Sequence, residues 1–312
     1  MSQKPVVVVG SINTDLVAIT RKIPAVGETV LGSDFQVHPG GKGANQAVAV
    51  ARLGYPVRMI GRLGNDSFGG QLRNYLEKTG VDVTGIMTTE GVSGVAVIVV
   101  SAKGENSIVV TPGANAKLTP QDLDSNIEQI RSAGIVLAQL EIPIETVEHL
   151  AVLCEREGVP LILDPAPAVE LPSSLLERTG WFTPNETEAA FYLDDSHAKP
   201  PSQPGEIARM LLSKGVSGVV LKLGAGGVYL ASQGLAGEAI SGFPVRAIDT
   251  TAAGDAFNGG FATGLLLGKT PSQSARFANA VAGISVTRMG AQSSMPTMQE
   301  VNDFLQHFQV TT

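Results

Sequence analysis

The sequence predicts an α/β protein whose core is a mostly parallel β-sheet, and three observations support this fold class. Short apolar runs such as Val6–Val9 end in glycine or polar residues, as strands buried on both faces of a parallel sheet do. From Gly134 onward these runs alternate with helical segments, which implies right-handed crossovers. The 312 residues include 36 glycines but only 5% aromatic residues, a composition that suits many tight turns. We expect a single domain over residues 1–312.

Composition and charge argue against several other classes of protein. The chain is 43% hydrophobic, which supports a large core, and its net charge of −7 without a cluster of Lys or Arg argues against nucleic-acid binding. The apolar runs are far shorter than the ~18–20 residues that span a bilayer, so no membrane association is expected. Residues 1–5 lead directly into the first strand without a secretory signal pattern, and the single Cys154 excludes an internal disulfide. These features favour a cytoplasmic protein.

Polar residues follow the first predicted strand, at the position where open α/β sheets bind their ligands. Asn13, Thr14 and Asp15 come shortly after Val6–Val9. A tight turn closed by an Asn or Asp side chain is the alternative interpretation. Residues 16–38 lack helical periodicity, and we expect them to form a few exposed strands.

A glycine-rich segment, Pro39–Ala47, comes next and precedes a predicted helix. It is not a Walker phosphate-binding loop, because Gly43 stands where that motif has Ser or Thr. It is not a dinucleotide-binding fingerprint either, because Gln46 takes the place of the last glycine. The exposed N–H groups, the charge of Lys42 and the amide of Asn45 together suit a polyhydroxylated ligand. The alternative is a glycine-rich turn before an ordinary helix.

The next part of the chain predicts a small sheet outside the main fold. Val57–Gly64 is predicted as a strand of the main sheet. Two further β-rich runs, Gly94–Ser101 and Asn106–Thr111, flank the turn at 103–105 and indicate a hairpin. This hairpin and residues 12–38 together predict the small sheet. Because an exposed apolar sheet face tends to find a partner, we expect a homodimer joined through it.

Polar or glycine-rich groups recur at the ends of the strands predicted in the second half of the chain. The strands and their end groups are Ile135–Leu140 with Glu141, Pro160–Leu163 with Asp164, Trp181–Thr183 with Asn185 and Glu188, and Val219–Leu223 with Gly224–Gly227. Helices are predicted at Ile144–Glu157 and Ile207–Lys214, and the stretch 196–204 is predicted to be an exposed loop. Because the carboxyl ends of parallel strands meet at one edge, we expect a ligand site there. Ordinary helix-start roles for these acids are the alternative.

The stretch Ile248–Gly260 has the pattern of a strand end, a tight turn and the start of a long helix. Gly254 lets the backbone approach a ligand closely, and the unpaired N–H groups of a helix start bind anions. Asp255 in the first turn adds a carboxylate base beside these donors, a combination suited to phosphoryl transfer to an alcohol. The alternative is that Asp255 only favours the helix start, as acids often do.

Two stretches of the sequence resemble the signatures of the ribokinase/PfkB family of carbohydrate and nucleoside kinases. The run Gly-Gly-Lys-Gly-Ala-Asn-Gln-Ala at 40–47 resembles the N-terminal signature, and Asp-Thr-Thr-Ala-Ala-Gly-Asp at 249–255 resembles the C-terminal one. Shorter motifs extend the resemblance from Val6 to about Ser294. The resemblance implies a three-layer α/β/α fold with a small β-sheet lid, formed by about 12–38 and 92–111, that closes over a sugar.

The resemblance also implies an activity, the ATP-dependent phosphorylation of the primary O5 hydroxyl of D-ribose in the presence of Mg²⁺. Asp255 would accept the hydroxyl proton, and the backbone N–H groups of Ala252, Ala253 and Gly254 would form an anion hole for the phosphoryl group. Related kinases acting on deoxyribose, fructose or a nucleoside remain alternatives. A non-catalytic regulator that binds a sugar or a nucleotide is a further alternative, from a different class.

The motifs of the family imply roles for individual residues. The implied ribose-binding set is Asn13, Thr14, Asp15, Gly41, Lys42, Gly43, Ala44, Asn45, Glu141 and Asp255. The implied nucleotide-binding set is Asn185, Lys222, Leu223, Gly224, Ala225, Gly226, Gly227, Gly254, Asp255 and Asn279. Glu188 would hold Mg²⁺ through metal-bound water. A cage rich in carbonyl oxygens, suited to K⁺, would be formed by Asp249, Thr251, Ser285, Arg288, Gly290 and Ser294.

Two residues depart from the ribokinase form of these motifs. Asp164 stands where that form has Asn before Pro-Ala-Pro, and Lys222 stands where it can have Thr. The first departure bears on how a metal is bound, and the second on the contact with ATP.

Overall fold

The structure, a computed structural model, describes residues 3–193 and 203–309, so most of the predicted loop at 196–204 lies outside the described residues. The described strands are β1 (Val6–Val9), β2 (Asn13–Thr20), β3 (Gly32–Gly40), β4 (Val57–Gly64), β5 (Asp82–Thr89), β6 (Gly94–Ser101), β7 (Asn106–Thr111), β8 (Ile135–Ala138), β9 (Leu161–Leu163), β10 (Trp181–Phe182), β11 (Gly218–Lys222), β12 (Gly227–Ser232) and β13 (Leu235–Ser241). The described α-helices are α1 (Lys42–Arg52), α2 (Ser67–Lys78), α3 (Pro120–Ser125), α4 (Ile127–Arg131), α5 (Ile144–Glu157), α6 (Ser173–Glu177), α7 (Glu186–Leu193), α8 (Pro204–Leu212), α9 (Ala253–Leu266), α10 (Pro271–Ser285) and α11 (Met298–Gln309).

The main sheet confirms the predicted α/β class. Nine of the described strands lie in it, in the order β13-β12-β11-β10-β9-β8-β1-β4-β5. The pairings from β11 through to β5 are parallel, whereas β12 and β13 add an antiparallel edge. Because β1 pairs with β8 on one side and β4 on the other, the carboxyl ends of several parallel strands meet around it.

Alternate side chains of β1 pack into hydrophobic cores on opposite faces of this sheet. Val6 and Val8 pack in a cluster with apolar residues of α1, α9 and α10. Val7 and Val9 pack in a second cluster with apolar residues of α5. None of these four side chains is exposed, as expected for a strand whose side chains alternate between two buried faces. The sheet is therefore the middle of three layers.

A second sheet, called the lid below, corresponds to the small sheet that the sequence predicts. Its described strands lie in the order β3-β2-β6-β7. β2 pairs antiparallel with β3 and parallel with β6, and β6 and β7 form the predicted hairpin. The chain passes from β1 into β2 through Gly10–Ile12, and from β3 into α1 through Gly41 alone. The lid is therefore joined to the main body at the carboxyl end of β1.

The two faces of the lid differ in what they carry. Cross-strand partners on one face form a row made of Val37, Leu16, Val97 and Val109. Val109 in this row is 64% exposed. The neighbouring row on the opposite face includes Asp15 and faces the main body. We call the face with Val109 the outer face of the lid.

The structure differs from the predicted elements mainly at their ends and at both edges of the main sheet, where β5 at one edge and β12 and β13 at the other were not predicted. β8 ends at Ala138 rather than Leu140, because the Leu140 N–H leaves the ladder and bonds to the Ala166 carbonyl oxygen. The hairpin of β12 and β13 was not predicted, since the sequence after Gly227 has only weak alternation. Among the helices of the described ranges, none has the length and apolar character that a bilayer span requires.

Candidate active site

A cavity of about 290 Å³ lies between the base of the lid and the carboxyl ends of the central strands. It is lined by Asn13, Asp15, Gly41, Lys42, Asn45, Ala96, Ile98, Ile108, Val110, Glu141, Asp164, Ala166, Asn185, Glu188, Lys222, Thr250, Thr251, Ala252, Ala253, Gly254 and Asp255. The structure thus brings together predicted site residues from six separate stretches of the chain, and Asp164 from a seventh. Thr14 does not point into this cavity. It lines a smaller one against α2, because successive side chains of β2 point to opposite faces of the lid.

Hydrogen bonds fix Asn13 at the base of the lid. Asn13 Oδ1 accepts a hydrogen bond from Asn115 Nδ2 at 2.7 Å, and Asn115 Oδ1 accepts one from the Ile12 N–H at 2.9 Å. Sequence reasoning missed Asn115, which lies about a hundred residues away and matches none of the motifs. Its buried amide ties the first lid strand to the segment that follows β7.

Three carboxyl groups lie close together beside the lid. Burial, and then the nearby carboxylates of Glu141 and Asp255, raise the pKa of Asp15 to about 7. Glu141 Oε2 accepts hydrogen bonds from Ser11 Oγ at 2.5 Å and from the Lys42 N–H at 3.3 Å. Ser11 was not among the predicted site residues. This part of the cavity is rich in hydrogen-bond acceptors.

The glycine-rich segment packs α1 against the end of β1 and presents Lys42 to the cavity. Gly41 has φ of 89°, and a methyl group there would lie only 2.7 Å from the Asn13 nitrogen. A methyl group at Gly43 would lie 2.7 Å from the Gly10 carbonyl carbon. Gly43 and its neighbour Ala44 are therefore packed on β1 rather than on the cavity, so their contribution to the site is the position of the turn.

The charge of Lys42 is secured by its surroundings. Burial alone would lower the pKa of Lys42, but the carboxylates of Asp255, Asp164 and Glu141 raise it above its ordinary value. An ammonium group therefore persists in the part of the cavity next to the glycine-rich segment across the neutral pH range.

Asp255 is a buried carboxylate held by amide groups. Asn45 Nδ2 donates to its Oδ2 at 2.9 Å, and Gln46 Nε2 donates to its Oδ1 at 3.0 Å. Burial raises the pKa of Asp255 to about 6, with Lys42 lowering it and Asp164 raising it. The carboxylate is thus oriented and is mainly ionised at neutral pH.

Gln46 was not predicted as a site residue, although it belongs to the N-terminal signature. Its Nε2 group also donates to Asp164 Oδ2 at 3.0 Å, and its Oε1 accepts from Gln139 Nε2 at 2.7 Å. The Nε2 group of Gln46 therefore links Asp164 to Asp255, because it donates a hydrogen bond to each.

The turn before α9 places unpaired N–H groups beside Asp255. Ala252 adopts a left-handed conformation with φ of 58°, which is uncommon for a residue with a Cβ atom. The Ala253 N–H bonds to the Thr250 carbonyl oxygen at 3.2 Å, so the turn itself uses one of the three predicted donors. Within the described residues, the N–H groups of Ala252 and Gly254 have no acceptor, as expected at a helix start.

Asn185 and Glu188 form a reciprocal cap at the start of α7. The Asn185 N–H and side-chain amide donate to the Glu188 carboxylate at 2.8 and 2.9 Å, and the Glu188 N–H donates to Asn185 Oδ1 at 2.8 Å. The pKa of Glu188 is raised, mainly by burial. The nearby charge of Lys222 acts to lower this pKa, and that of Asp164 acts to raise it. In the described ranges, no group of three His, Cys, Asp or Glu residues is arranged to hold a metal. A single carboxylate nevertheless suits Mg²⁺, which retains several waters.

Lys222 lies at the end of β11, beside Asn185. Its N–H donates to the Pro184 carbonyl oxygen at 2.8 Å, which aligns it with that segment. Its ammonium group donates to Asp164 Oδ1 at 2.9 Å.

The remaining predicted nucleotide residues lie outside the cavity but close to one another. The turn from Leu223 to Gly227 is joined to the end of β13, because the Gly242 N–H bonds to the Gly226 carbonyl oxygen at 3.2 Å. Asn279 on α10 donates to the Ile240 and Ser241 carbonyl oxygens, both at 3.2 Å. The structure therefore links this turn and Asn279 through the last residues of the hairpin.

The predicted cation cage contains two segments joined at Asp249. The Asp249 carboxylate accepts hydrogen bonds from Thr251 and, at 2.8 Å, from the Gly290 N–H. Although burial acts to raise the pKa of Asp249, the bonds from Thr251 and Gly290 lower it. The Ile248 and Asp249 N–H groups both bond to the Val286 carbonyl oxygen.

The other predicted cage residues make local bonds. The hydroxyl groups of Ser285 and Ser294 donate to the carbonyl oxygens of Ala282 and Ala291, at 2.9 and 2.7 Å. The Arg288 guanidinium bonds to Glu300 at 2.5 Å, which directs it toward α11.

Comparisons with known proteins agree with the resemblance that the sequence shows. Residues 3–298 match the model of the pfkB family carbohydrate kinases. A ribokinase of Haemophilus influenzae is 44% identical over 98% of this chain and 99% of its own length. A deoxyribokinase of Salmonella typhi is 35% identical over 96% of this chain and 98% of its own length. The structure of Arabidopsis thaliana ribokinase complexed with ribose and ATP superposes with a TM-score of 0.90 at 34% identity, covering 98% of this chain and 99% of that one. The predicted family is confirmed, and the chain belongs to the pfkB family of carbohydrate kinases.

Proposed function

We propose that this protein is a ribokinase that transfers the γ-phosphoryl group of ATP to the O5 hydroxyl of D-ribose. One observation carries the proposal. A single cavity holds a cluster of carboxylate, amide and ammonium groups next to Asp255, which itself borders the free N–H groups of a helix start. The similarity to ribokinases over nearly the whole chain supports the choice of a pentose.

The sugar half of the cavity suits a neutral polyol. Each hydroxyl of a sugar both donates and accepts a hydrogen bond. Asp15 and Glu141 supply acceptors, Lys42 supplies donors, and Asn13 supplies both kinds of group. Glu141 and the partly ionised Asp15 disfavour a sugar that already carries a phosphate or a carboxylate, because like charges would be brought together in a buried site.

The chemical step follows from the position of Asp255. Its carboxylate accepts the O5 proton as O5 attacks the γ-phosphorus, so that an O5–P bond forms, the bond from phosphorus to the β-phosphate oxygen breaks, and ADP leaves. The free N–H groups of Ala252 and Gly254 stabilise the charge on the phosphoryl oxygens. Asn45 and Gln46 keep the carboxylate oriented throughout.

We further propose that Mg²⁺ and K⁺ assist this reaction. Glu188 would hold Mg²⁺ through metal-bound water, and the ion would neutralise charge on the phosphates. Asp249, whose pKa is lowered, would supply the charge for K⁺ beside the turn that carries Gly254. The described residues fit both ions, because each proposed site has one carboxyl group with hydrogen bonds that fix its direction.

We also propose a homodimer joined through the outer face of the lid. Val37, Leu16, Val97 and Val109 form an unbroken apolar row across its strands. Exposed apolar surface of this kind is typical of interaction sites.

The substrate is tested by coupled measurement of ADP release with ribose, 2-deoxyribose, fructose and adenosine. We expect kcat/KM to be highest with ribose, and the product to carry phosphate at O5. Faster turnover of 2-deoxyribose would favour the second candidate, a deoxyribokinase, which the 35% identity to such an enzyme supports. Failure of every acceptor, with nucleotide binding retained, would favour a non-catalytic regulator.

A further inference from the structure

The two residues that depart from the ribokinase form of the motifs meet in the cavity. Asp164 and Lys222 are 58 residues apart in sequence, yet the Lys222 ammonium donates to Asp164 Oδ1 at 2.9 Å. Both side chains are largely buried. The two departures therefore form one ion pair, so each is the structural partner of the other.

The ammonium of Lys222 lies at the anion hole. A methyl group added at Gly254 would meet Lys222 Nζ at 3.3 Å, so the space in front of the Gly254 backbone is bordered by this cation. Gly254 lines the same cavity, and within the described residues its N–H group has no acceptor. A phosphoryl group bound to the free N–H groups would therefore lie within reach of Nζ.

Lys222 retains donors for such a group. An ammonium has three N–H bonds, and in the described part of the chain Nζ makes its hydrogen bond with Asp164. The second oxygen of Asp164 accepts from Gln46, which also holds Asp255. Asp164 is thus anchored on both oxygens and fixes the direction of the Lys222 side chain relative to the proposed base.

The charges that line the cavity also favour a cation at the position of Lys222. Among the lining residues that the structure describes, carboxylates outnumber ammonium groups, with Asp15, Glu141, Asp164, Glu188 and Asp255 against Lys42 and Lys222. Lys42 belongs to the sugar loop on α1. Lys222 lies at the end of β11, four strands away from β1 in the sheet, and leads into the turn at 223–227 that belongs to the predicted nucleotide site.

We propose that Lys222 is a catalytic residue whose ammonium contacts the transferring phosphoryl group, and that Asp164 is the positioning residue that holds it there. This inference rests on the proposed phosphoryl transfer, but not on the identity of the sugar. In the transition state the γ-phosphoryl oxygens carry charge that fixed donors stabilise, and Lys222 adds a full positive charge to the backbone donors of the anion hole.

The test separates a γ-phosphoryl contact from a contact with the rest of the nucleotide. Lys222→Met keeps the length of the side chain and removes its charge, Lys222→Arg keeps the charge, and Lys78→Met on the surface of α2 is the matched control. Binding of ADP and of the β,γ-methylene analogue of ATP is measured by calorimetry, and kcat and KM are measured with the best acceptor.

We expect Lys222→Met to lower kcat by about 10²-fold, the scale of losing one donor to a developing oxyanion. The same substitution should weaken binding of the ATP analogue at least severalfold. ADP binding and the KM for the sugar should stay within about twofold of the parent's values. Lys222→Arg should recover part of kcat. Asp164→Asn should lower kcat less than Lys222→Met, and the double variant should be no worse than Lys222→Met alone, because the two residues act as a unit.

Three results would overturn the inference. One is near-normal kcat in Lys222→Met with unchanged binding of the ATP analogue. Another is an equal loss of affinity for ADP and for the ATP analogue, which would mean that Lys222 contacts the α- or β-phosphate. The third is additive effects of the Asp164 and Lys222 variants. If another sugar proves to be the best acceptor, the same measurements are made with it, and if none is phosphorylated, the difference between the two nucleotides decides.

Discussion

Replacing Asp255 with asparagine should abolish most turnover and, at the same time, make the protein more stable. The variant removes the proposed base, and general bases typically contribute about 10²–10⁴-fold to rate. Because the geometry around Asn45 and Gln46 is set by other contacts as well, including Gln292 and Gln139, we expect the fold and ribose binding to persist.

The gain in stability follows from the burial of the carboxylate. Since the pKa of Asp255 rises from 3.8 to about 6, its ionised form costs the folded protein about 3 kcal/mol at pH 8. A carboxyl with a raised folded-state pKa contributes stability at low pH that is lost as the pH rises through about 6. Asparagine carries no charge, but it must turn its own NH₂ group toward Asn45 or Gln46, which costs about 1–2 kcal/mol.

The net expectation is a variant more stable than the parent by about 1–2 kcal/mol at pH 8, with that gain shrinking by about 1 kcal/mol at pH 5. Urea unfolding at the two pH values measures the difference, and coupled ADP release measures turnover. Asp303→Asn, at an exposed position on α11, is the control for loss of one charge. Turnover within tenfold of the parent would show that Asp255 is not the base. A loss of stability that does not change with pH would refute the raised pKa.

Three further predictions concern the sugar loop, the lid and the cation. Lys42→Ala should weaken ribose binding at least tenfold and ATP binding little, because its ammonium lies in the polyol cluster; equal losses of both ligands in calorimetry would contradict this. Val109→Glu should convert a dimer into a monomer in sedimentation, since it places a charge in the apolar row; a parent that is monomeric at all concentrations would contradict the lid dimer. K⁺ should raise activity severalfold over an alkali-free buffer at constant ionic strength, and Na⁺ less, because the larger ion sheds its water more readily. Asp249→Ala should remove this response and keep the Mg²⁺ dependence, and identical turnover in K⁺, Na⁺ and a bulky organic cation would refute the site.

The parts of the site that were predicted from sequence lie in contiguous motifs. Lys42, Asn45, Gly254 and Asp255 line the same cavity, and each belongs to a run whose residue types already indicate its chemistry. Such motifs can be recognised in a single sequence, because a turn and the helix that follows it form from residues that are neighbours along the chain.

The groups that sequence reasoning missed act through long-range contacts. Asn115 and Gln139 bond to motif residues about a hundred positions away, and no local pattern marks either of them. Thr14 is the opposite case. It belongs to a predicted motif, but its position on β2 directs its side chain toward α2 and away from the site. Pairing partners and strand faces depend on the three-dimensional arrangement, so the sequence indicates which residues are polar but not which of them meet.

The short connections of the lid have a consequence for how this protein can change. Four connections link the lid to the main body, at Gly10–Ile12, Gly41, 90–93 and Pro112, and Gly41 lies in the wall of the cavity. Gly41 therefore belongs both to the wall of the cavity and to the link between the lid and α1. A substitution beside Gly41 that adapts the pocket to another acceptor would also act on the movement of the lid, so we expect acceptor specificity and product release to change together. An acceptor analogue bound between Asp15 and Lys42 would contact the lid and α1 at once, so we expect it to hold the lid in place and to compete with the acceptor rather than with the nucleotide.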